Sequence, residues 1–252
     1  MAGLPPLYAH RFGRDKGPDS SRRALRRTLA GAVDGLETDV CLTSDDELAL
    51  IHDPWLTLGT TAKGWAHETP WEPTLRDCFL RDRHGVKTAQ TPMLLQELWD
   101  AVPNGMPLQL EVKSHGDPEL AARSAEAICD ALQARPERHG VEVISFHGIA
   151  CEVAAARGED ARLVVWSDIP ARALLDWAIH HGVGGVCVEP QILHPRLVDD
   201  LRSGGLSVTS GTINELELAR RVASLGVDAI TSDRPGVLRA ADVAEHAEVL
   251  AG

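Results

Sequence analysis

The sequence predicts an α/β protein folded as a closed parallel (β/α)8 TIM barrel, with a small insertion after the hairpin arm of its second strand. Eight strand-like runs, which begin at residues 7, 35, 108, 141, 162, 185, 206 and 227, are each followed by a helix-like or irregular run. The length of 252 residues is common for an α/β barrel that forms one domain, so we expect a single domain over 1–252. An open doubly wound sheet is the alternative, but it would have fewer units and a Gly-rich turn after its first strand.

The first two units carry the most polar strands of the chain. A short strand over 7–11 precedes a helix whose N-cap lies within 19–21 and which ends near Gly31. The second strand covers 35–43, and a turn leads back along a hairpin arm over 48–52. We therefore expect a parallel barrel whose second strand carries an additional hairpin arm over 48–52.

Residues 54–90 have no sustained period of either kind, and they contain Trp55, Trp65 and Trp71 together with several prolines and glycines. Long irregular segments of a compact domain are usually functional or mobile. We interpret this segment as an insertion or lid within the barrel domain. Its tryptophans are expected to pack the insertion onto the barrel rather than to form a wall for a substrate.

The rest of the chain alternates regularly between helices and strands. Thr91-Pro92 is predicted to start the helix over 94–102, with the proline where a first helical turn tolerates it. Asn214 is predicted to cap the helix that ends at Gly226. The remaining strands are predicted over 108–113, 141–146, 162–167, 185–189, 206–210 and 227–231, and the remaining helices over 118–135, 149–156, 171–180 and 195–202.

Composition excludes several classes of function. The formal net charge of −12 argues against nucleic-acid binding, which usually needs a basic stripe. No stretch approaches the roughly 20 apolar residues of a membrane span, and the first residues lack the features of a secretory signal. The 5 cysteines form no CxxC pair and are odd in number, which favours reduced thiols and a cytoplasmic location. The oligomeric state stays open.

Three carboxylates lie in adjacent predicted strands. Glu37 and Asp39 are two positions apart, so both side chains point to the same face, and Glu111 lies in the next strand. Buried carboxylates need compensation, and three oxygen ligands without nearby Cys or His favour Mg²⁺ or Ca²⁺ over Zn²⁺. Two alternatives remain: Glu111 pairs with Lys113, or the strand is misplaced by one residue and Glu37 and Asp39 are capping groups.

Four further polar residues end predicted strands at the same mouth. His10 and His52 are candidates for proton transfer, and Arg11 and Lys113 would make the pocket strongly positive once a divalent ion is bound. Such a pocket suits a phosphate monoester or diester. A lone histidine is more often a hydrogen-bonded structural residue than a catalyst, and the coincidence of all these residues at consecutive strand ends favours catalysis.

Six motifs occur in a fixed order from residue 10 to residue 235. They read His10-Arg11-Phe12, Pro18-Asp19-Ser20-Ser21, Glu37-Thr38-Asp39-Val40, Ile51-His52-Asp53-Pro54, Glu111-Val112-Lys113 and Gly226-Val227-Asp228-Ala229-Ile230-Thr231-Ser232-Asp233-Arg234-Pro235. In order and spacing the chain resembles the glycerophosphodiester phosphodiesterase family, metal-dependent TIM barrels related to phosphatidylinositol phospholipase C.

The resemblance implies an activity and a role for each candidate residue. It implies metal-dependent hydrolysis of a small glycerophosphodiester to glycerol 3-phosphate and an alcohol. By resemblance, the metal ligands are Glu37, Asp39 and Glu111, the acid and base are His10 and His52, and the phosphate is bound by Arg11 and Lys113. Two departures from the family pattern, Phe12 in place of Gly and Gly211 in place of Trp, are expected to reshape the side of the pocket that binds the alcohol.

Two other functions remain open at this point. One is a phospholipase D-like reaction that transfers the phosphate to an internal hydroxyl and leaves a cyclic product. The other is a barrel that has lost turnover and only binds phosphorylated ligands or metal. The presence of both His10 and His52 argues against the second.

Overall fold

A computed structural model describes residues 3–251 as a closed (β/α)8 barrel, which confirms the predicted fold class. The strands are β1 (Leu7–Ala9), β2 (Gly35–Leu42), β3 (Leu48–Ala49), β4 (Leu108–Val112), β5 (Val141–Ser145), β6 (Asp160–Val165), β7 (Gly185–Val188), β8 (Ser207–Gly211) and β9 (Ala229–Ser232). All pair in parallel except β3, which lies antiparallel on β2 as the predicted hairpin arm.

Helices alternate with the barrel strands. They are α1 (Arg22–Leu29), α2 (Leu95–Ala101), α3 (Pro118–Gln133), α4 (Gly148–Ala156), α5 (Ala171–His181), α6 (Pro195–Ser203), α7 (Leu216–Ala223) and α8 (Pro235–Ala251). Ser21 caps α1, as predicted, by accepting a hydrogen bond from Ala24 N. Among residues 3–251, no helix combines the length and the apolar composition that crossing a membrane would require.

The barrel closes where β1 pairs with both β2 and β9. Tyr8 lies opposite Gly35 on one side and opposite Thr231 on the other. A Cβ at Gly35 would lie 2.7 Å from the Tyr8 ring, so only glycine permits this close approach. Closure brings the first and last strands together and places their carboxyl ends at one mouth.

The opposite end of the barrel is filled by a polar cluster. Arg162 on β6 is 4% exposed, and its guanidinium donates hydrogen bonds to Glu142 on β5 and to the backbone oxygens of Val186 and Ser207. Gln109 on β4 donates a further hydrogen bond to Glu142 at 2.9 Å. Burial raises the pKa of Glu142, but the Arg162 charge outweighs it and the net pKa lies below the usual value. A satisfied ion pair therefore closes this end.

Two predicted details and several strand bounds are wrong. β1 ends at Ala9 and not at 11, β3 ends at Ala49 and not at 52, and β9 begins at Ala229 and not at 227. Asn214 does not cap α7, because the helix begins at Leu216 and Glu215 occupies the N-cap position. Pro92 precedes α2 rather than lying in its first turn, since Leu94 is the N-cap. The strand predicted over 162–167 is β6, which begins two residues earlier and ends at Val165.

Residues 54–90 contain short helical turns and isolated strand bridges. Trp71 is 7% exposed and packs in a second apolar cluster, which joins this segment to Cys41 and Ile51 on the β2–β3 side. Trp65 contacts Trp55 edge-on, with ring centroids 4.9 Å apart. Trp71 thus packs as predicted, whereas Trp55 remains 41% exposed.

Candidate active site

The barrel mouth collects the predicted site residues from four strands and the loops that follow them. A cavity of about 190 Å³ is lined by six of the seven: His10, Arg11, Glu37, His52, Glu111 and Lys113. The seventh, Asp39, is fully buried and forms ion pairs with Lys113 and Arg11. Parallel strands place their carboxyl ends at one face of a barrel, which is why residues distant in sequence meet here.

Three buried carboxylates form the centre of the site. Asp39 on β2 lies directly opposite Glu111 on β4, and Glu37 lies two residues before Asp39 on the same strand face. One carboxylate oxygen of each residue lies within 4.8 Å of the others. Glu37 and Asp39 are 2% and 0% exposed, respectively. The predicted strand register is therefore right, and neither residue is a capping group.

Two cations compensate this negative charge. Lys113 Nζ lies 3.0 Å from Asp39 Oδ1 and also donates to Glu111. Arg11 Nε lies 3.4 Å from Asp39 Oδ2, and Arg11 Nη1 donates to Asp19 at 2.7 Å. The backbone N–H of Arg11 donates to Glu37 Oε2 at 2.8 Å. Arg11 has φ of 50°, an unusual conformation for a non-glycine residue that points this N–H at Glu37.

The environment moves the pKa values of the two carboxyls on β2 in opposite directions. Burial, together with the charges of Asp39 and Glu111, raises the pKa of Glu37 well above its usual value. Burial also acts to raise the pKa of Asp39, but Lys113, His52 and Arg11 outweigh it and the net pKa is low. Asp39 is thus a fixed anion, and Glu37 is the carboxyl whose charge still lacks a cation.

The carboxylate cluster fits a divalent cation. Glu37 Oε1 is buried and has no hydrogen-bond partner among the described residues, which is costly unless an ion or a water compensates it. Oxygen donors from three carboxylates are the ligands that hard divalent ions prefer.

Each candidate histidine is held by an aspartate through Nδ1. His10 Nδ1 lies 2.7 Å from Asp233 Oδ1, and His52 Nδ1 lies 2.9 Å from Asp53 Oδ1. An Nδ1–H that donates to a carboxylate leaves Nε2 as the atom available for proton transfer. His10 Nε2 faces the carboxylate cluster, at 3.9 Å from Glu37 Oε2. Both histidines are therefore held by an aspartate through the same ring nitrogen.

Sequence reasoning did not assign a role to Asp233 or to its neighbours. Asn214 Nδ2 donates to Asp233 Oδ2 at 2.7 Å, and Asn214 Oδ1 accepts from Asp233 N at 2.9 Å and from Ser232 Oγ at 3.0 Å. The side chain that was predicted to cap α7 instead orients the partner of His10. Asp233 follows β9 directly, so the rule that polar residues at strand ends converge could have found it.

The two departures from the family pattern lie in different places. Phe12 is fully buried in the barrel core and does not line the cavity. The expectation that its ring reshapes the pocket is wrong, because its φ of 64° turns the side chain into the protein. Gly211 does line the cavity, and a Cβ there would lie 2.7 Å from Thr231 Cβ.

Comparisons with known proteins find relatives over nearly the whole chain. Residues 10–237 match the Glycerophosphoryl diester phosphodiesterase family. The glycerophosphodiester phosphodiesterase of Bacillus altitudinis is 23% identical over 239 residues, which cover 92% of this chain and 96% of that protein. A phosphodiesterase of Oleispira antarctica, solved in complex with the product sn-glycerol-3-phosphate, superposes with a TM-score of 0.80 at 22% identity, covering 94% and 96% of the two chains. A glycerophosphodiester phosphodiesterase of Parabacteroides distasonis gives 0.78 at 21%, covering 98% and 100%.

Proposed function

The chain belongs to the glycerophosphoryl diester phosphodiesterase family and is a phosphoric diester hydrolase by that membership, and on this premise we propose that it hydrolyses glycerophosphodiesters to glycerol 3-phosphate and an alcohol. The observation that carries the proposal is the meeting of three buried carboxylates with two Asp-held histidines at one cavity. A phosphodiesterase that leaves this product is known among proteins with the same fold.

We assign the binding of the diester phosphate to Arg11 and Lys113. Both cations line the cavity, and both are held in place by carboxylates at its floor. A fixed guanidinium and ammonium orient an anionic phosphate and stabilise the charge that develops on its oxygens. Because their partners are buried or partly buried, these side chains keep their positions before the substrate enters.

His10 and His52 supply the acid and the base. Nε2 of one histidine takes the proton of the attacking oxygen, and Nε2 of the other gives a proton to the leaving alkoxide. Asp233 and Asp53 orient the rings and stabilise the imidazolium that forms on each. Glu37, Asp39 and Glu111 would hold a divalent ion, which when bound neutralises phosphate charge and lowers the pKa of a coordinated oxygen. The oxygen-only donor set favours Mg²⁺ or Ca²⁺.

A phospholipase D-like reaction is the second candidate, because the same acid and base could transfer the phosphate to an internal hydroxyl. Phosphorus NMR of the products distinguishes the two reactions, since a cyclic phosphate accumulates only in the transfer reaction. We favour hydrolysis because the family matched over residues 10–237 is a phosphodiesterase family, and a protein of the same fold was solved with its product sn-glycerol-3-phosphate. The five cysteines are free and buried, which supports a cytoplasmic location. A part in the turnover of phospholipid head groups is proposed from the glycerophosphodiester substrate alone.

The test is the release of glycerol 3-phosphate from glycerophosphocholine and glycerophosphoglycerol, with and without EDTA and with Mg²⁺ or Ca²⁺ added back. We expect EDTA to abolish the release and one of the two ions to restore it. Glu37→Gln removes a charged oxygen ligand, so it should raise the metal concentration needed for half-maximal rate, whereas Glu47→Gln, which changes an exposed glutamate, should not.

His10→Ala should lower kcat by about 10²- to 10⁴-fold, the usual range for loss of a general acid or base. Unchanged rates in EDTA together with unchanged rates in His10→Ala would contradict the assignment of the site. A folded enzyme that binds the diester but releases no product would favour a barrel that only binds phosphorylated ligands.

A further inference from the structure

A second cavity adjoins the active site on the side of the insertion. It has a volume of about 250 Å³, and two of its lining residues, Arg11 and His52, also line the active-site cavity. Most of its remaining lining comes from the loop that carries Arg14 and from two stretches of the insertion, 58–59 and 80–85. A substrate whose phosphate contacts Arg11 can therefore extend one substituent into this second cavity.

The acidic side chains that line the second cavity already have partners. Asp19 accepts from Arg11 Nη1 at 2.7 Å and from Arg14 Nε at 2.8 Å. Asp53 pairs with His52. Asp82 accepts two backbone N–H groups of its own turn, each at 2.9 Å. Asp19 is therefore balanced by two arginines, whereas Asp82 keeps its negative charge because neutral N–H groups hold it. The cavity lining has four arginines against three aspartates, so an excess of positive charge remains.

Two lining arginines form no ion pair with a described carboxylate, although, after the backbone N–H groups of that turn, the charge of Arg83 helps to lower the pKa of the neighbouring Asp82 carboxyl. Arg81 donates from Nε to Thr60 O at 2.8 Å and from Nη1 to Gly85 O at 3.0 Å, so neutral carbonyls hold its guanidinium in place. Arg83 is exposed and contacts the ring of His84. Neither arginine forms an ion pair with any residue in the described part of the chain, 3–251.

This positive charge stands out against the rest of the protein. The segment 54–90 has five Lys or Arg residues and four Asp or Glu residues, whereas the whole chain has a formal net charge of −12. A positioned guanidinium without a counter-ion is the group that proteins use to bind phosphate or carboxylate.

We propose that the second cavity is an anion subsite, and that the preferred substrate is a phosphodiester whose alcohol carries a second phosphate or a carboxylate. The proposal rests on the proposed function. Because the glycerol half of such a diester is neutral, the added anion belongs to the other substituent. Arg81 and Arg83 bind it while Arg11 contacts the reacting phosphate.

A cationic alcohol such as choline fits the second cavity poorly. Quaternary ammonium groups are bound by aromatic rings, and no Trp, Tyr or Phe is among the described residues that line it. Arg81 and Arg83 would also repel a cation. The cavity therefore discriminates between alcohols by their charge.

The test compares two diesters that differ by one phosphate, glycerophosphoinositol and glycerophosphoinositol 4-phosphate. We expect the wild-type kcat/KM to be higher for the phosphorylated diester by on the order of tenfold, which one or two charge-assisted hydrogen bonds at a partly exposed site provide. The double variant Arg81→Gln, Arg83→Gln should bring the ratio close to one, chiefly by lowering kcat/KM for the phosphorylated diester. Arg81→Lys should keep most of the preference.

Arg172→Gln is the matched control, because Arg172 is an exposed arginine of α5 that pairs with Asp176; its ratio should equal that of the wild type. A wild-type ratio of one, or a double variant that keeps the wild-type ratio, would overturn the subsite. If neither diester is hydrolysed, the proposed function fails, and calorimetry then tests the anion subsite separately. The wild type should bind the phosphorylated diester more tightly than glycerophosphoinositol, and the double variant should bind the two equally. Equal binding of both diesters by the wild type would overturn the subsite.

Discussion

The hydrogen bond between His10 and Asp233 provides a sharp test of the mechanism through Asp233→Asn. In the wild type, Asp233 accepts from His10 at one oxygen and from Asn214 Nδ2 at the other. An amide in place of the carboxylate has one acceptor and one donor. If its NH2 group faces Asn214 Nδ2, two donors meet and that hydrogen bond is lost; if it faces His10 Nδ1, the ring must carry its proton on Nε2, which then cannot accept one. The substitution therefore removes the charge and either breaks a hydrogen bond or fixes the wrong tautomer of His10.

The expected size of the effect follows from the geometry of this pair. The bond is short, at 2.7 Å, and the two side chains are 14% and 23% exposed. A hydrogen bond to a charged group in such a place is worth about 1.5–3 kcal/mol. If this stabilisation is larger in the transition state, when the imidazolium forms, kcat falls roughly 10- to 100-fold, with little change in KM, because Asp233 does not line the cavity.

The assay couples the release of glycerol 3-phosphate to its oxidation by a dehydrogenase and records kcat and KM separately across pH 5–9. Asp199→Asn, which removes an exposed carboxylate on α6, controls for the loss of charge. Circular dichroism and the melting temperature establish that both variants are folded. A folded Asp233→Asn enzyme with wild-type kcat would refute the view that Asp233 orients a catalytic His10.

Two further predictions concern stability. Glu142→Gln leaves the Arg162 guanidinium buried without its counter-charge, so the free energy of unfolding in urea should fall by about 3–5 kcal/mol, whereas Glu47→Gln should change it by less than about 0.5 kcal/mol. The pKa of Glu142 is lower in the folded protein than in the unfolded chain. Its contribution to stability is therefore complete above the unfolded pKa and is lost as pH falls through the folded pKa. If the wild type and Glu142→Gln unfolded in acid at the same pH midpoint, this reasoning would be contradicted. Phe12→Gly relieves the strain of a positive φ, which costs about 1–3 kcal/mol, but it removes a fully buried ring whose loss costs about 3–5 kcal/mol. We therefore expect the free energy of unfolding in urea to fall. A variant more stable than the wild type would show that the backbone strain dominates.

Much of the architecture could be predicted because its signals are local and periodic. The alternation of apolar strands and helices predicted the barrel, and the period-2 spacing of Glu37 and Asp39 placed both on one face. The rule that strand ends converge then added Glu111, His10 and His52 to the same mouth. These predictions needed no knowledge of which side chains meet across the barrel.

The errors arise where tertiary contacts override local preference. Asn214 was interpreted as a helix cap because Asn is common there, but Asp233 and Ser232, which lie 19 and 18 residues away, compete for its side chain. Phe12 was expected to shape the pocket because it replaces the glycine of the family pattern, but its ring is fully buried in the core and its backbone is left-handed. The position of Arg81 depends on two carbonyls of an irregular segment, which no periodicity reveals.

The bond between His10 and Asp233 joins residues that are 223 positions apart, and it forms only where β1 pairs with β9. During translation, His10 is synthesised among the first residues of this sequence and Asp233 among the last. A nascent chain that still lacks β9 cannot form the β1–β9 pairing that brings Asp233 to His10, even if every other barrel strand has formed. With the proposed role of His10, we therefore expect a chain that ends before β9 to lack hydrolase activity.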